Sequence, residues 1–194
     1  MGKEGIDREE PGEQRTFIIS RTDAIGDVVL TLPVAGVLRS LYPTSRILFL
    51  GRSYTEAVIK ACEHIDGFIS WDELRELPSR AAIQQFVATG ADTIIHVFPD
   101  VHIARLALQA RIRRRIGTSR RLYHYLYCNI LVPLSRKKSP YHESQLNLKL
   151  LVPLGAKQLY STEEIASNYG LTRLSPLPSS IAAVLAPDRF NLIL

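Results

Sequence analysis

Apolar and polar positions alternate along this chain in two rhythms. Short apolar runs of four to seven residues read as strands, and longer stretches with apolar residues every three or four positions read as helices. The first run, Thr16-Phe17-Ile18-Ile19-Ser20, is apolar throughout its centre, as a strand covered on both faces should be. The helix that follows carries Val28, Val29, Leu32, Ala35, Gly36, Leu38 and Leu41. Pro33 allows two versions of it: a regular helix from near Thr31 with the proline in its first turn, or a helix from Gly26 kinked at the proline. Tyr42-Pro43 ends it, and Arg46 to Gly51 is the second strand.

The rhythm then repeats. A helix is predicted over Ser53 to Cys62, with Ser53 as its cap and Glu56 as the capping-box partner, then a short strand over Gly67 to Ser70. A helix over Ser79 to Thr89 and a strong strand over Asp92 to Phe98 follow. Pro99-Asp100 opens another helix, with Val101, Ala104, Leu108 and Ile112 on one stripe, and Arg113 to Gly117 is strand-like. The aromatic stretch Leu122 to Leu131 has no clear period. Glu143 to Leu154 reads as a substantially buried helix closed by Gly155. Strands alternating with helices at this spacing imply an α/β fold: a Rossmann-like, mainly parallel sheet with flanking helices.

Composition divides the chain. Residues 1–15 are polar and mixed in charge, and are expected to be a disordered lead-in. Residues 16–174 form the Rossmann-like domain. Residues 175–189, with Ser-Pro-Leu-Pro-Ser-Ser and Pro187-Asp188, read as a linker, and residues 190–194 as the first strand of a truncated second domain. The lead-in lacks the apolar centre of a signal peptide, and no apolar run approaches the ~20 residues needed to span a bilayer. A cytoplasmic protein is expected, with any membrane contact peripheral. Cys62 and Cys128 stand far apart and read as reduced, buried thiols.

The net charge of +5 is less informative than its placement. Between Val101 and Pro140 lie ten basic residues, Arg113, Arg114, Arg115, Arg120 and Arg121 among them, and no Asp or Glu. Such a run is either a solvated face or a surface for something anionic. Tyr123, Tyr125 and Tyr127 are base-stacking side chains in principle, but no nucleic-acid module with a defined signature accompanies them, and no nucleic-acid partner is expected.

Candidate chemistry concentrates in Arg21-Thr22-Asp23-Ala24-Ile25-Gly26-Asp27, between the first strand and its helix. A polar turn with one glycine there places backbone N–H groups at the carboxyl edge of a sheet, where anions commonly bind. Asp27 reads either as a base beside that cradle or as an ordinary helix N-terminal carboxylate. Asp23 reads first as a turn or cap aspartate, and Gly26 as room for close backbone approach. His96 is expected to be a hydrogen-bonded core histidine. His102, His124 and His142 lack metal-ligand spacing, so no metal is expected. The nucleophilic serine elbow, the phosphate loop with lysine and the three-glycine dinucleotide fingerprint are absent, and no cofactor is expected.

The segment Arg21 to Pro33, read with Arg115-Ile116-Gly117, the aromatic stretch Tyr123 to Tyr127, His142-Glu143, Asn147 to Leu151 and Leu154-Gly155, resembles the ADP-heptose:lipopolysaccharide heptosyltransferases of glycosyltransferase family 9. The resemblance spans roughly residues 16 to 155. It implies the N-terminal, acceptor-binding half of a GT-B enzyme that moves a heptose from ADP-heptose, or the sugar of another nucleotide-sugar, to a lipopolysaccharide core acceptor. The transfer would be an inverting single displacement with Asp27 as base. Thr22, Asp23, Gly26 and the arginines at 113, 114, 115, 120 and 121 would bind substrate or face the inner-membrane surface. A fragment without its donor domain would be inactive alone. A non-catalytic module for anionic lipid or nucleic acid is the rival reading.

Overall fold

Successive side chains of the predicted strands point to opposite sides, and the two apolar sets they make define the layers of the fold. The computed structural model describes residues 15–137 and 139–185. Most of the expected lead-in, Lys138, the end of the linker and the strand expected at 190–194 lie outside the described residues. Six strands, β1 (Thr16–Ser20), β2 (Arg46–Gly51), β3 (Gly67–Ser70), β4 (Thr93–His96), β5 (Arg114–Thr118) and β6 (Ile130–Val132), form one sheet in the order β3-β2-β1-β4-β5-β6. Every pairing is parallel, with Ile18 opposite Leu48 on one side and Ile94 on the other.

Helices cover both faces, as a parallel sheet requires. On one face Phe17, Ile19, Ile47, Phe49, Ile95 and Ile116 meet α1 (Ile25–Val29), α2 (Leu32–Leu41), α3 (Glu56–Ala61), α8 (Glu143–Lys149) and α9 (Thr162–Ala166). On the other, Ile18, Leu48, Leu50 and Ile94 meet α4 (Trp71–Glu76), α5 (Ser79–Ala88) and α6 (Val101–Gln109). A one-turn helix, α7 (His124–Tyr127), occupies the aromatic stretch between β5 and β6, and α10 (Ser179–Ala182) lies in an exposed tail. Cys62 and Cys128 are free and buried.

Of the two versions of the first helix, the one with Pro33 in its first turn holds: α2 begins at Leu32. A separate short helix, α1, precedes it, and the two are divided at Leu30-Thr31. A continuous helix would leave the Val29 carbonyl facing a proline with no N–H.

Other local expectations are corrected. Ser53 does not cap a helix. Residues Ser53–Thr55 form a 3₁₀ turn ahead of α3, and the Ser53 hydroxyl is instead shared with Ser70 at 2.8 Å. On α6 the buried stripe is Ile103, Ala104, Leu106 and Ala107, with Val101 and Leu108 outside it. The α8 helix stops at Lys149, because Pro153 cannot donate backward; a 3₁₀ turn over Val152–Leu154 ends at Gly155 with φ 95°.

His96 is buried, as expected of a core histidine, but neither ring nitrogen has a hydrogen-bond partner among the described residues. Its ring lies 5.8 Å from that of His124, which is also buried and contacts the Thr118 carbonyl at 2.9 Å through Nδ1. Desolvation, with smaller effects of His124 and Arg115, brings the His96 pKa down to about 3. The folded state therefore takes up this proton far less readily than the unfolded chain, whose histidines titrate near ~6.5. The stabilisation is complete above that value and is lost as pH falls toward about 3. Urea unfolding of the wild type is expected to weaken by several kcal/mol between pH 7 and pH 4, at about 1.4 kcal/mol for each tenfold difference in proton affinity between the two states. His96→Leu should flatten that slope; an equally steep slope in the variant would show that other groups set the acid sensitivity.

Candidate functional site

In the order β3-β2-β1-β4-β5-β6 the connections from β1 and β4 leave in opposite directions, so a crevice opens at the carboxyl ends of these two strands. The segment after β1 runs into that crevice, and its first residue organises it. The side chain of Arg21 is only 4% exposed. Its Nε donates to Asp23 Oδ1 at 2.6 Å, and Nη2 reaches Asp23 Oδ2 at 2.8 Å and Asp27 Oδ1 at 2.9 Å. Its Nη1 donates to Glu143 Oε1 at 3.0 Å and lies 3.4 Å from Asn147 Oδ1. All five N–H groups of the guanidinium are thereby engaged. Burial works against the charge, but Asp23, then Glu143 and Asp27, more than offset it, and the Arg21 pKa is raised.

Glu143 and Asn147 stand one turn apart on α8, and a second cation joins them from the loop after β6. Arg136 donates to Glu143 Oε1 at 2.9 Å, to Asn147 Oδ1 at 3.0 Å and to the Val97 carbonyl at 3.0 Å. Three carboxylates face two guanidiniums, leaving one negative charge in excess. The amide of Asn147 donates to the Leu30 carbonyl at 3.2 Å and to Thr31 Oγ1 at 3.3 Å, and Thr31 donates to the Asp27 carbonyl at 2.8 Å. The break between α1 and α2 is satisfied by α8.

Asp27 is the most open carboxylate of the cluster. Its side chain is 38% exposed, against 21% for Asp23 and 22% for Glu143. Both Asp23 oxygens are taken by Arg21, whereas Asp27 Oδ2 has no partner among the described residues. The Tyr54 hydroxyl donates to the Asp23 carbonyl at 2.8 Å and fixes the turn from the β2 side. Gly26 is exposed, and a Cβ placed there would meet nothing within 4 Å. Nothing among the described residues needs its smallness, so the close backbone approach expected at Gly26 is not found.

Thr22, Asp23, Gly26 and Asp27 are brought together by their loop. Arg120 and Arg121 follow β5 and so stand on the same carboxyl edge, both exposed. Arg113, Arg114 and Arg115 lie at the opposite end of β5, a strand of five residues and ~15 Å. Arg115 is occupied structurally, donating from Nε to the Tyr127 carbonyl at 2.7 Å and from Nη1 to the Ile112 carbonyl. Arg21, Arg136, Glu143 and Asn147 were not among the expected site residues. The spacing of Glu143 and Asn147, four apart on a helix with apolar neighbours, was the available signal. No metal-binding cluster of three or more His, Cys, Asp or Glu occurs among the described residues.

A parallel six-stranded sheet with a polar cluster at its switch point defines a Rossmann-like α/β fold, a class in which ligands commonly bind at the carboxyl edge. Within that class, its backbone matches solved structures of glycosyltransferase family 9. The family 9 glycosyl transferase from Veillonella parvula superimposes with a TM-score of 0.59 at 20% identity, covering 74% of this chain and 42% of the other. The E. coli heptosyltransferase WaaC, solved with ADP-2-deoxy-2-fluoro heptose, gives 0.63 at 16% identity over 79% and 53%. The E. coli ADP-heptose lps heptosyltransferase II gives 0.58 at 17% over 71% and 40%. The chain thus spans about half the length of these structures. No protein-family model matches the sequence, and no curated protein does.

Removing the guanidinium leaves three carboxylates and an amide without their shared donor. Arg21→Ala is expected to cost about 3–5 kcal/mol in urea unfolding at neutral pH, the range for breaking a buried ion pair from one side. A loss below ~1 kcal/mol would mean that solvent or Arg136 replaces it. Gly26→Ala, in contrast, should be neutral to stabilising by up to ~1 kcal/mol, since the site is helical and uncrowded.

Proposed function

We propose that this chain is the acceptor-side domain of a GT-B glycosyltransferase that uses a nucleotide-sugar, with ADP-heptose as the donor and a lipopolysaccharide core sugar as the acceptor. The observation that carries the reading is Asp27: a carboxylate at the switch-point crevice with one oxygen held by a buried arginine and the other open. Two of the matching folds are heptosyltransferases, one solved with an ADP-heptose analogue, and this supports the choice of donor.

In the proposed reaction the acceptor hydroxyl sits against Asp27 Oδ2. It attacks the anomeric carbon while the bond to the nucleotide diphosphate breaks on the opposite face, and its proton passes to the carboxylate. One new glycosidic bond forms with inversion, and the nucleotide diphosphate leaves as an anion. Arg21 keeps Oδ1 in place, so the carboxylate cannot swing away from the crevice as it accepts the proton. Thr22, Asp23 and Gly26 shape the acceptor side of the turn. Arg120 and Arg121, on the same edge, meet acceptor phosphates or acidic sugars; Arg113 is exposed at the far end of β5, and Arg115 there is tied to main-chain carbonyls. Donor contacts belong chiefly to a second domain, so the 194-residue chain alone should not turn over donor. The reaction belongs in the cytoplasm, at the inner-membrane surface.

The test is transfer from ADP-heptose to a lipopolysaccharide core acceptor by a protein that contains this domain together with a donor domain. Asp27→Asn preserves size and removes the base, and should lower kcat by ~10²–10⁴-fold with little change in KM. Unchanged kcat would remove Asp27 from the chemistry. A screen of other nucleotide-sugars in the same assay decides the sugar: turnover with a different donor and none with ADP-heptose would keep the fold-based reading and discard the heptose.

A further inference from the structure

The three carboxylates around Arg21 do not share it evenly. Asp23 holds Nε and one N–H of Nη2 in a two-point grip at 2.6 and 2.8 Å, and Asp27 Oδ1 takes the other N–H of Nη2 at 2.9 Å. The far nitrogen, Nη1, goes elsewhere: Glu143 Oε1 accepts from it at 3.0 Å, with Asn147 Oδ1 behind at 3.4 Å. The two Nη groups of a guanidinium are spaced to match the two oxygens of one carboxylate, and such pairs frequently close into a two-point fork. Asp27 already has Oδ1 on Nη2, so its Oδ2 matches Nη1. That fork is not made, and Asp27 Oδ2 has no partner among the described residues. Water does not hold Nη1 away, because the side chain is only 4% exposed; a protein acceptor does. Both arginines of the cluster use the same oxygen of Glu143. Arg136 Nε donates to Oε1 at 2.9 Å while Arg136 Nη2 is anchored on the Val97 carbonyl and Asn147 Oδ1, at 3.0 Å each, so that oxygen is fixed from the β6 side. Glu143 Oε2 has no partner among the described residues.

We propose that Glu143 is a positioning residue that keeps Asp27 open: by occupying Arg21 Nη1 through Oε1, it stops the guanidinium from closing a two-point fork on Asp27 and leaves Oδ2 for the acceptor hydroxyl. The inference rests on the proposed function only in naming what Oδ2 receives; the competition for Nη1 belongs to the cluster itself. Without an acceptor at this place Nη1 is buried and unsatisfied, which is costly. Asp23 has both oxygens committed, so the uncommitted oxygen beside Arg21 is then Asp27 Oδ2. What position 143 must supply is an acceptor atom where Oε1 stands, and not a negative charge. Two conservative substitutions separate these. Glutamine carries a carbonyl oxygen on the same stem and can accept from both arginines, as Oε1 does. Aspartate keeps the charge but draws its oxygens back by one methylene, ~1.5 Å.

The experiment is carboxyl labelling of the 194-residue chain with a water-soluble carbodiimide and glycinamide, each site quantified by peptide mass spectrometry. Glu76, with 76% of its side chain exposed, is the internal reference. Asp27 is expected to label readily in the wild type and in Glu143→Gln. In Glu143→Asp it should label at least ~10-fold more slowly, the effect of one added charge-assisted hydrogen bond. Asp23, with both oxygens held, should stay slow in all three. In a protein that also contains a donor domain the same order should appear in kcat at little-changed KM, Glu143→Gln retaining at least ~10-fold more than Glu143→Asp. Equal labelling of Asp27 in all three proteins, faster labelling in Glu143→Asp, or slow labelling in Glu143→Gln would each overturn the proposal. If Asp27→Asn leaves transfer intact, the catalytic reading fails while the labelling order still decides the competition for Nη1, so the two failures are told apart.

Discussion

The arrangement at the sheet edge depends on the burial of a single positive charge. A guanidinium with 4% of its side chain exposed has lost nearly all its hydration, and several kcal/mol of desolvation must be offset by partners in fixed places. Arg21 finds two of those partners within six residues, at Asp23 and Asp27, and a third 122 residues away at Glu143. The first loop and the eighth helix are therefore not free to take independent positions. Their meeting brings Asn147 to Leu30 and Thr31, where a broken helix leaves a carbonyl in need of a donor.

That coupling bears on function because the cluster is unevenly covered. Asp23 and Glu143 are spent on the two arginines, while Asp27 gives one oxygen to Arg21 and keeps the other without a partner among the described residues. Structure and candidate chemistry share one network. Glu143 acts on Asp27 through Arg21, Asn147 through both Arg21 and Thr31, and Arg136 shares their load from the β6 side.

The basic stretch shows how misleading a run of like charges is when read as one surface. Arg115 turns back to tie the Ile112 and Tyr127 carbonyls, Arg136 belongs to the carboxylate cluster, and Arg120 and Arg121 alone stand beside the exposed turn of α7. The parallel direction of β5 puts Arg113 to Arg115 and Arg120 to Arg121 at opposite ends of the sheet. A few residues of separation in the chain become the whole height of the domain.

The strand and helix rhythm, the opening of a helix at Asp100 and the constraint at Pro33 were legible in the sequence because each is a local matter of period, side-chain donors or a missing N–H, whereas the helix read as running to Leu154 stops at Lys149. The Arg21 to Asp27 turn was legible for the same reason: a strand, a polar loop and a helix are adjacent in the chain. Ser53 misled because a neighbouring strand competed for its hydroxyl, and His96 because burial left both its ring nitrogens without partners among the described residues. Tertiary structure alone decided that Arg21 would be buried and that α8 would supply Glu143 and Asn147 to it. A charge in a loop is ordinary until the fold removes its water; only then do partners from distant segments become obligatory, and local propensity does not name them.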